Sequence, residues 1–303
     1  MALELILTGN YRQMSDAAAS ILIPAMAQAT IQDGRIFKLG LATGNSPLGL
    51  YSRMIERQHE FDASKARSWN LDEYVGLPQG HPKSYAVEME QSLFGRLSPR
   101  FAETYIPEGT KIDQAELERA LVNETSNTVL IKGKGSGKVI VIKHDAADPY
   151  LRYIQETILT PYAVSIIQAG GIDWQVAGVG RHGHIAFHES GIPFEYGVML
   201  VKLSDETIAD AVKDGHFLSA EEAPKYAISL GVGGLMRYSK NILVLASGDR
   251  KTEAIAKALL GPMTSDSPIS AMQKRIGSSS KVIYVVDEIA AAEILGHERK
   301  LTE

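Results

Sequence analysis

Short apolar runs alternate along the chain with longer segments in which apolar residues recur at helical spacing. The short runs predict strands, most of them buried, at residues 35–42, 68–71, 172–179, 241–246 and 281–286. The helical spacing predicts helices at residues 14–25, 82–94 and 251–260. Strands that alternate with helices are typical of parallel sheets with crossover connections. We therefore predict an α/β fold that is doubly wound, with a mostly parallel, Rossmann-like sheet and helices on both faces.

One segment departs from this alternation. Residues 128–142 contain two apolar runs around a glycine-rich turn, which predicts a β-hairpin. Either the hairpin lies at an edge with its lysines in solvent, or it acts as a lid or a subunit contact. Because the sequence has no internal repeat and no linker, we predict a single domain over residues 1–303 with a hairpin inserted at about 127–147.

Composition narrows the classes of function. The formal net charge is −5 and no long basic run is present, which argues against a nucleic-acid partner. The chain has no cysteine, which excludes disulfides, thiolate nucleophiles and cysteine zinc sites. No stretch approaches 18 apolar residues, and residues 1–30 lack the pattern of a secretory signal. We therefore expect no membrane partner and a cytoplasmic location.

Two turns that follow predicted strands could bind an anion. Thr43, Gly44, Asn45 and Ser46 lie between a strand and a helix, where free backbone N–H groups and the helix dipole favour phosphate. Gly44 could instead only permit a tight turn. Residues 246–251 form a similar turn, and Lys251 is either a point charge for phosphate or a solvated surface lysine. Two such turns in one sheet favour a ligand at the carboxyl ends of its strands.

Asp72 and Glu73 are adjacent acids just beyond a predicted strand. Neighbouring side chains on an extended backbone point to opposite faces, so we expect only one of them to enter a cleft. A carboxylate there could move a proton between neighbouring carbons of an open-chain sugar. The alternative for Asp72 is a cap of a helix or turn.

Residues 170–191 combine a predicted strand, a glycine-rich turn and several titratable side chains, namely His182, His184, His188 and Glu189. Histidines beside a carboxylate suit acid–base chemistry near neutral pH. Two alternatives are a packing or capping role for each histidine and a metal site made of the three histidines with Glu189. The spacing differs from the i, i+4 histidine pair of zinc hydrolases, which makes the metal alternative the weaker one.

Together these segments resemble a known family. Five blocks occur in order: "LGLATGNSPLGLY", "WNLDEYVGLPQGHPKSY", "GGIDWQVAGVGRHGHIAFHESG", "APKYAISLGVGGLM" and "NILVLASGDRKTEAI". They resemble the glucosamine-6-phosphate deaminase (isomerase) family, a relative of 6-phosphogluconolactonase, over residues 35–286 apart from the inserted hairpin. The block "NLDEYVGLP" followed by "HPKSY" is the most specific and favours the deaminase branch.

The resemblance implies roles for single residues. Asp72 matches the base that moves a proton between carbons 1 and 2, His184 matches the histidine that assists ring opening, and Glu189 matches its acidic partner. Substrate and phosphate binding falls to Thr43, Gly44, Asn45, Ser46, Gly180 and Lys251. Lys213 falls where the family commonly has an arginine on the phosphate, so the charge is kept and the bidentate fork is lost.

The sequence departs from the family in the loop around His184. The family usually has an aspartate at the position of His182, an asparagine at that of His188 and a proline at that of Ser190. A carboxylate beside His184 would stabilise its imidazolium, and a second imidazole does so far less. We therefore expect His182 to make His184 harder to protonate than in typical relatives.

The resemblance implies a deaminase-like hydrolase/isomerase that converts glucosamine 6-phosphate into fructose 6-phosphate and ammonia, with no redox or metal cofactor. One alternative is an isomerase or deaminase of another phosphosugar, such as galactosamine 6-phosphate. Another is a non-catalytic phosphosugar-binding protein. The partner in each case is a small sugar phosphate. The sequence leaves the oligomeric state open, with a homo-oligomer among the alternatives.

Overall fold

The computed structural model of the protein describes residues 3–122, 124–275 and 279–296. Its strands are β1 (Leu3–Thr8), β2 (Phe37–Leu41), β3 (Ala66–Asn70), β4 (Asp72–Tyr74), β5 (Glu103–Tyr105), β6 (Thr128–Lys132), β7 (Lys138–Ile142), β8 (Ile172–Gly178), β9 (Val198–Lys202), β10 (Tyr226–Leu230), β11 (Ser239–Ala246) and β12 (Val282–Asp287). Its α-helices are α1 (Tyr11–Ala27), α2 (Asn45–Glu56), α3 (Tyr85–Ser92), α4 (Gln114–Ala120), α5 (Glu124–Asn127), α6 (Pro149–Tyr153), α7 (Thr160–Gln168), α8 (Asp205–Lys213), α9 (Val232–Tyr238) and α10 (Thr252–Leu259).

Seven strands form a parallel sheet in the order β1-β12-β11-β8-β2-β3-β5. The predicted strands all belong to this sheet and the predicted helices pack against it, with boundaries that differ by a few residues. From β2 the chain proceeds to β3 on one side, and from β8 it proceeds to β11 and β12 on the other. The order therefore reverses between β2 and β8, which is where doubly wound sheets bind ligands.

Helices cover both faces of the parallel sheet, as predicted. One hydrophobic cluster joins it to α1, α2 and α3 through Leu22, Leu50 and Met89. The opposite cluster joins it to α7, α9 and α10 through residues such as Ile166 and Ile255. The strands are apolar on both faces, which explains why they appear in the sequence as continuous apolar runs.

The structure adds a second sheet that the sequence did not predict. This five-stranded antiparallel sheet has the order β4-β10-β9-β7-β6. The predicted hairpin is present as β6 and β7, and β6 forms an edge of the sheet. The chain crosses between the sheets at Leu71, whose N–H donates to Leu41 O and whose carbonyl accepts from Leu230 N–H. Asp72 is therefore the first residue beyond the parallel sheet.

Within the described ranges, no helix is both long enough and apolar enough to cross a lipid bilayer.

Candidate functional site

A cavity of about 610 Å³ opens at the carboxyl ends of β2, β3, β8 and β11. It lies at the reversal of strand order, where the segments that follow these four strands meet. Most of the predicted site residues line it, namely Thr43, Gly44, Asn45, Ser46, Asp72, Gly180, His184 and Lys251. Glu189, His182 and Lys213 are not among the described residues that line this cavity.

The first turn is held in place from two sides. Gly44 has a φ of 82°, a conformation that favours glycine, and it precedes the first residue of α2. Its N–H donates to the Glu88 carboxylate of α3 at 3.0 Å. The Tyr11 hydroxyl donates to Asn45 O at 2.8 Å and accepts from Gly49 N–H at 2.7 Å. The start of α2 is thus fixed with its N-terminus facing the cavity.

The second turn carries two cations. The buried carboxylate of Asp287, at the end of β12, accepts from Ser247 Oγ and Gly248 N–H and so supports the turn. Lys251 follows, and burial lowers the pKa of its ammonium. Arg250 also lines the cavity, and its guanidinium pairs with Asp214. The turn therefore presents the Lys251 ammonium and the Asp214-paired guanidinium of Arg250 to the cavity that the start of α2 also lines, an arrangement that suits a phosphate.

Asp72 and Glu73 diverge as the alternation of strand residues predicts. Asp72 faces the cavity, whereas Glu73 accepts hydrogen bonds from the backbone N–H groups of Tyr74, Tyr85 and Ala86. Glu73 therefore supports the N-terminus of α3. Burial raises the pKa of Glu73 to about 7, although these three hydrogen bonds oppose the shift.

The Asp72 carboxyl group is buried, and its Oδ1 has no hydrogen-bond partner in the described part of the chain. Burial raises the pKa of Asp72 well above the ordinary value, and the nearby carboxylates of Glu73 and Glu88 raise it further. A carboxyl group that faces a cavity, lacks a protein partner and has a raised pKa is suited to accept and return a proton.

The turn after β8 brings His184 to the cavity. Gly180 N–H donates to His184 O at 2.8 Å, and Gly183 N–H donates to Gly180 O at 3.0 Å. A Cβ atom on Gly180 would overlap the His184 imidazole, so glycine is required there for close approach. Burial lowers the pKa of His184 to about 4, Lys251 lowers it further, and His182 does so to a smaller degree. The direction agrees with the expectation that His184 is hard to protonate, but burial is the main cause.

His188 has a different role from the other histidines of the loop. It is fully buried, its Nδ1 accepts from Val232 N–H at 3.1 Å, and its Nε2 lies 3.0 Å from Ile192 O. Because Nδ1 accepts, the proton of the neutral ring is on Nε2 and is donated to Ile192. Burial lowers the pKa of His188 to about 4, which keeps the ring neutral. Both nitrogens are used, so His188 cannot serve in the metal site considered as an alternative.

Glu189 and His182 line a second cavity of about 500 Å³, which shares His184 and Thr207 with the first. The Glu189 carboxylate accepts from Ser204 N–H at 3.0 Å and from Ser204 Oγ at 3.2 Å, just before α8. Burial raises the pKa of Glu189. Glu189 is thus close to the loop of His184, but its hydrogen bonds go to Ser204.

Helix α8 explains the position of Lys213. Thr207, Asp210, Ala211 and Asp214 line the first cavity, at the i, i+3, i+4, i+7 spacing of one helical face. Lys213 is the residue before Asp214, so its side chain is rotated by about 100° around the helix axis from that of Asp214. Lys213 is exposed. The helical spacing was visible in the sequence, and it would have drawn attention to Asp210 and Asp214 had the helix been predicted.

Sequence reasoning also missed the aromatic wall of the cavity. Tyr74, Tyr85 and Phe187 line it and contact one another, with ring centroids 4.9 to 6.2 Å apart. Tyr74 and Tyr85 belong to the block around Asp72, so their proximity to the site had a sequence signal. Phe187 belongs to the block around His184, and only the fold shows that the two blocks meet in one wall.

Comparison with known proteins shows similarity along nearly the whole chain. The family described as glucosamine-6-phosphate isomerases/6-phosphogluconolactonase matches residues 10–282. Glucosamine-6-phosphate deaminase 2 of Bacillus subtilis (strain 168) is 33% identical over 296 residues, covering 96% of this chain and 98% of that protein. A glucosamine-6-phosphate deaminase of Clostridium botulinum (strain Kyoto / Type A2) is 31% identical over 294 residues, covering 96% and 99%.

Solved structures agree with this similarity. A monomeric glucosamine-6-phosphate deaminase superposes with a TM-score of 0.71 at 26% identity, covering 95% of this chain and 99% of that chain. The 6-phosphogluconolactonase of Trypanosoma brucei superposes with a TM-score of 0.65 at 14% identity, covering 96% and 98%. The second likeness concerns the fold alone.

Proposed function

Because the chain belongs to the family of glucosamine-6-phosphate isomerases and 6-phosphogluconolactonases, we propose that it isomerises and deaminates glucosamine 6-phosphate, giving fructose 6-phosphate and ammonia. The observation that carries the proposal is the buried carboxyl group of Asp72, which faces a cavity between two anion-binding turns and whose Oδ1 has no hydrogen-bond partner among the described residues. The chain is therefore classed as a deaminase-like isomerase, after the step assigned to Asp72. The expected class of hydrolase fits only the related lactonases.

The phosphate of the substrate binds between the two turns. It carries close to two negative charges at neutral pH. The start of α2 supplies the N–H groups of Thr43, Asn45 and Ser46, and Lys251 and Arg250 supply positive charge from the other side. Both turns are fixed by hydrogen bonds within the protein, so this subsite is formed before the substrate arrives.

The sugar then lies between the phosphate subsite and Asp72. His184 assists ring opening, which exposes carbon 1 as an aldehyde. The ionised form of Asp72 removes the proton from carbon 2 and returns it to carbon 1, while O1 gains a proton and the amino nitrogen loses one. The 2-amino aldose thereby becomes a 1-hydroxy-2-imine. One water molecule adds to the imine carbon, and ammonia leaves, which balances the reaction. The substrate's own carbonyl and imine accept the developing charge, so the proposed steps need only acid and base groups from the protein.

The test is incubation of the purified chain with glucosamine 6-phosphate, with ammonia and fructose 6-phosphate measured together. Equal amounts of both products are expected, and Asp72→Asn should lower kcat by about 10²–10⁴-fold because general acid–base catalysis is lost. Galactosamine 6-phosphate and phosphorylated sugars without an amino group are assayed in parallel. Release of ammonia from galactosamine 6-phosphate alone, or no turnover of any of them, would contradict the proposal.

A location in the cytoplasm belongs to the same proposal, since a charged sugar phosphate does not cross a membrane unaided.

A further inference from the structure

His184 has no acid next to it on its own loop, because position 182 is a histidine. An imidazole that must gain and lose a proton is commonly held by a carboxylate, which stabilises its charged form. The structure offers such a group on another element. Asp210 lies in the middle of α8, on the face that lines the same cavity as His184.

Among the described residues, Asp210 is the acid whose charge raises the pKa of His184, and three other acids that line a cavity with His184 are engaged elsewhere. The Glu189 carboxylate accepts two hydrogen bonds from Ser204, and that of Asp214 pairs with Arg250. Asp249 accepts from the backbone N–H of Arg250. The described residues give the Asp210 carboxylate no hydrogen bond and no ion pair, so it is free to turn towards the imidazole.

Helix geometry places Asp210 at the right level of the cavity. Thr207, one turn earlier on the same face, lines both cavities, as His184 does. Asp214, one turn later, lies beside the Lys251 turn. Asp210 is between them, and its negative charge raises the pKa of both His184 and Lys251, although burial lowers both values overall.

We propose that Asp210 is a positioning residue that orients His184 and stabilises its protonated form, in the role that the loop carboxylate has in typical relatives. The inference rests on the proposed function for its catalytic consequence. It also makes a physical claim about His184 that does not depend on the substrate. A carboxylate has been lost from the loop, and α8 supplies one from the opposite wall of the cavity.

Several other charged or titratable groups line the two cavities to which His184 belongs, and the test must separate Asp210 from them. From the first cavity these are Asp72, Asp214, His216, Asp249, Arg250 and Lys251. From the second cavity they are Lys134, His182, Glu189, Glu206, Lys257 and Asp266.

A double-mutant cycle makes this separation. The variants are Asp210→Asn, His182→Asp and the double variant, with Asp205→Asn as a matched control on the exposed first turn of the same helix. Asp210→Asn should lower kcat by about tenfold, a loss typical of removing one charged partner. KM should not rise, because removing a negative charge near Lys251 does not weaken phosphate binding. Asp205→Asn should keep kcat within about twofold.

The diagnostic result is rescue. If Asp210 supplies the carboxylate that position 182 lacks, His182→Asp should restore most of kcat in the Asp210→Asn background and change it little in the wild type. Two outcomes would overturn the proposal: His182→Asp altering kcat by the same factor in both backgrounds, which marks independent residues, or Asp210→Asn leaving kcat unchanged.

A second measurement separates this proposal from the proposed function. The titration of His184 is followed by nuclear magnetic resonance of labelled histidine in the free protein. Loss of the negative charge at 210 lowers the pKa of His184, so the midpoint should move to lower pH by at least about 0.3 pH units. An unchanged midpoint of the His184 titration would contradict the proposed role of Asp210 even if the enzyme is active. A shifted midpoint without any turnover supports the contact and rejects only the proposed function.

Discussion

At the scale of the residue, the approach of His184 to Gly180 is the tightest requirement of the site. The imidazole occupies the space that a side chain at position 180 would fill. The backbone of Gly180 is not in the left-handed region that favours glycine, so alanine could adopt the same backbone conformation. The obstacle to alanine is the overlap of its Cβ atom with the His184 imidazole. The glycine is therefore needed for the position of His184.

Gly180→Ala is expected to displace His184 and to lower kcat by roughly 100-fold, since a misplacement of about 1 Å can cost that much. The measurement is steady-state kinetics with glucosamine 6-phosphate, together with thermal unfolding to show that the variant is folded. Gly197→Ala is the control, because a Cβ atom there would meet nothing within 4 Å. Wild-type kcat in Gly180→Ala would show that the ring has room to move.

His188 is a structural residue whose contribution depends on pH. Its ring joins the start of α9 to the loop at Ile192, and it must be neutral to do so. Its folded pKa of about 4 is below the ordinary value of 6.5. Between these pH values the unfolded chain binds more protons, so the stability that depends on neutral His188 falls as pH decreases from 6.5 to 4.

His188→Ala should lower the free energy of unfolding at pH 7 by about 2–4 kcal/mol, because two buried backbone groups lose their partner. It should also reduce the dependence of stability on pH between 4 and 6.5 by up to about 1.4 kcal/mol per pH unit. Denaturant unfolding at several pH values measures both. His59→Ala, on an exposed turn, controls for the general cost of losing a histidine. A variant with the wild-type pH dependence would show that His188 is not the group that titrates.

At the scale of the element, the β6–β7 hairpin supports the loop that carries Glu189. Lys134 N–H donates to Ser190 O at 2.6 Å, and the Lys134 ammonium pairs with Asp266 at 2.5 Å. Ser136 Oγ accepts from Asp205 N–H at the start of α8. Lys132 and Lys134 are exposed, as the edge alternative expects, and the hairpin also braces the second cavity and the start of α8.

Gly137→Ala tests this support, because the added Cβ would lie 3.0 Å from Glu189 Cγ. We expect Glu189 to shift and kcat to fall by several-fold, with little change of KM because the phosphate subsite is remote. Lys132→Ala, at the exposed end of β6, is a control in the same hairpin. Kinetics and thermal unfolding are measured for both. If the two variants have the same kcat, the hairpin does not position the loop.

At the scale of the whole molecule, the site joins segments that follow β2, β3 and β11. A phosphate held between Ser46 and Lys251 contacts elements from both sides of the reversal in strand order. Ligand binding to the native state stabilises the whole fold by an amount that rises with the logarithm of the ligand concentration relative to its dissociation constant. The phosphate group, rather than the sugar, should dominate this effect because it carries the charge.

Glucosamine 6-phosphate, added to Asp72→Asn to avoid turnover, should raise the free energy of unfolding by about 2.7 kcal/mol at one hundred times its dissociation constant. Lys251→Met should abolish most of the effect at the same concentration, and unphosphorylated glucosamine should produce none. Thermal unfolding with increasing ligand concentration provides the measurement. Equal stabilisation by both sugars would show that the two turns do not hold the phosphate.

Much of this protein was determined locally by its sequence. Continuous apolar runs predict buried parallel strands because both faces of such strands are covered. Turns after those strands must meet at one edge of the sheet, which brings Thr43 and Lys251 to a common cavity. The alternation of side chains along a strand sends Asp72 and Glu73 in opposite directions. These inferences need only the spacing of residues and the geometry of a strand.

The tertiary structure decided the rest, because it depends on how elements rotate and on contacts between distant segments. The orientation of α8 turns Asp210 towards the cavity and Lys213 away from it. The packing of the loop against α9 makes His188 a structural residue, and Ser204 takes the hydrogen bonds of Glu189. No local pattern fixes a rotation or a partner that lies tens of residues away along the chain, so only the assembled fold could show which side chains share the cavity.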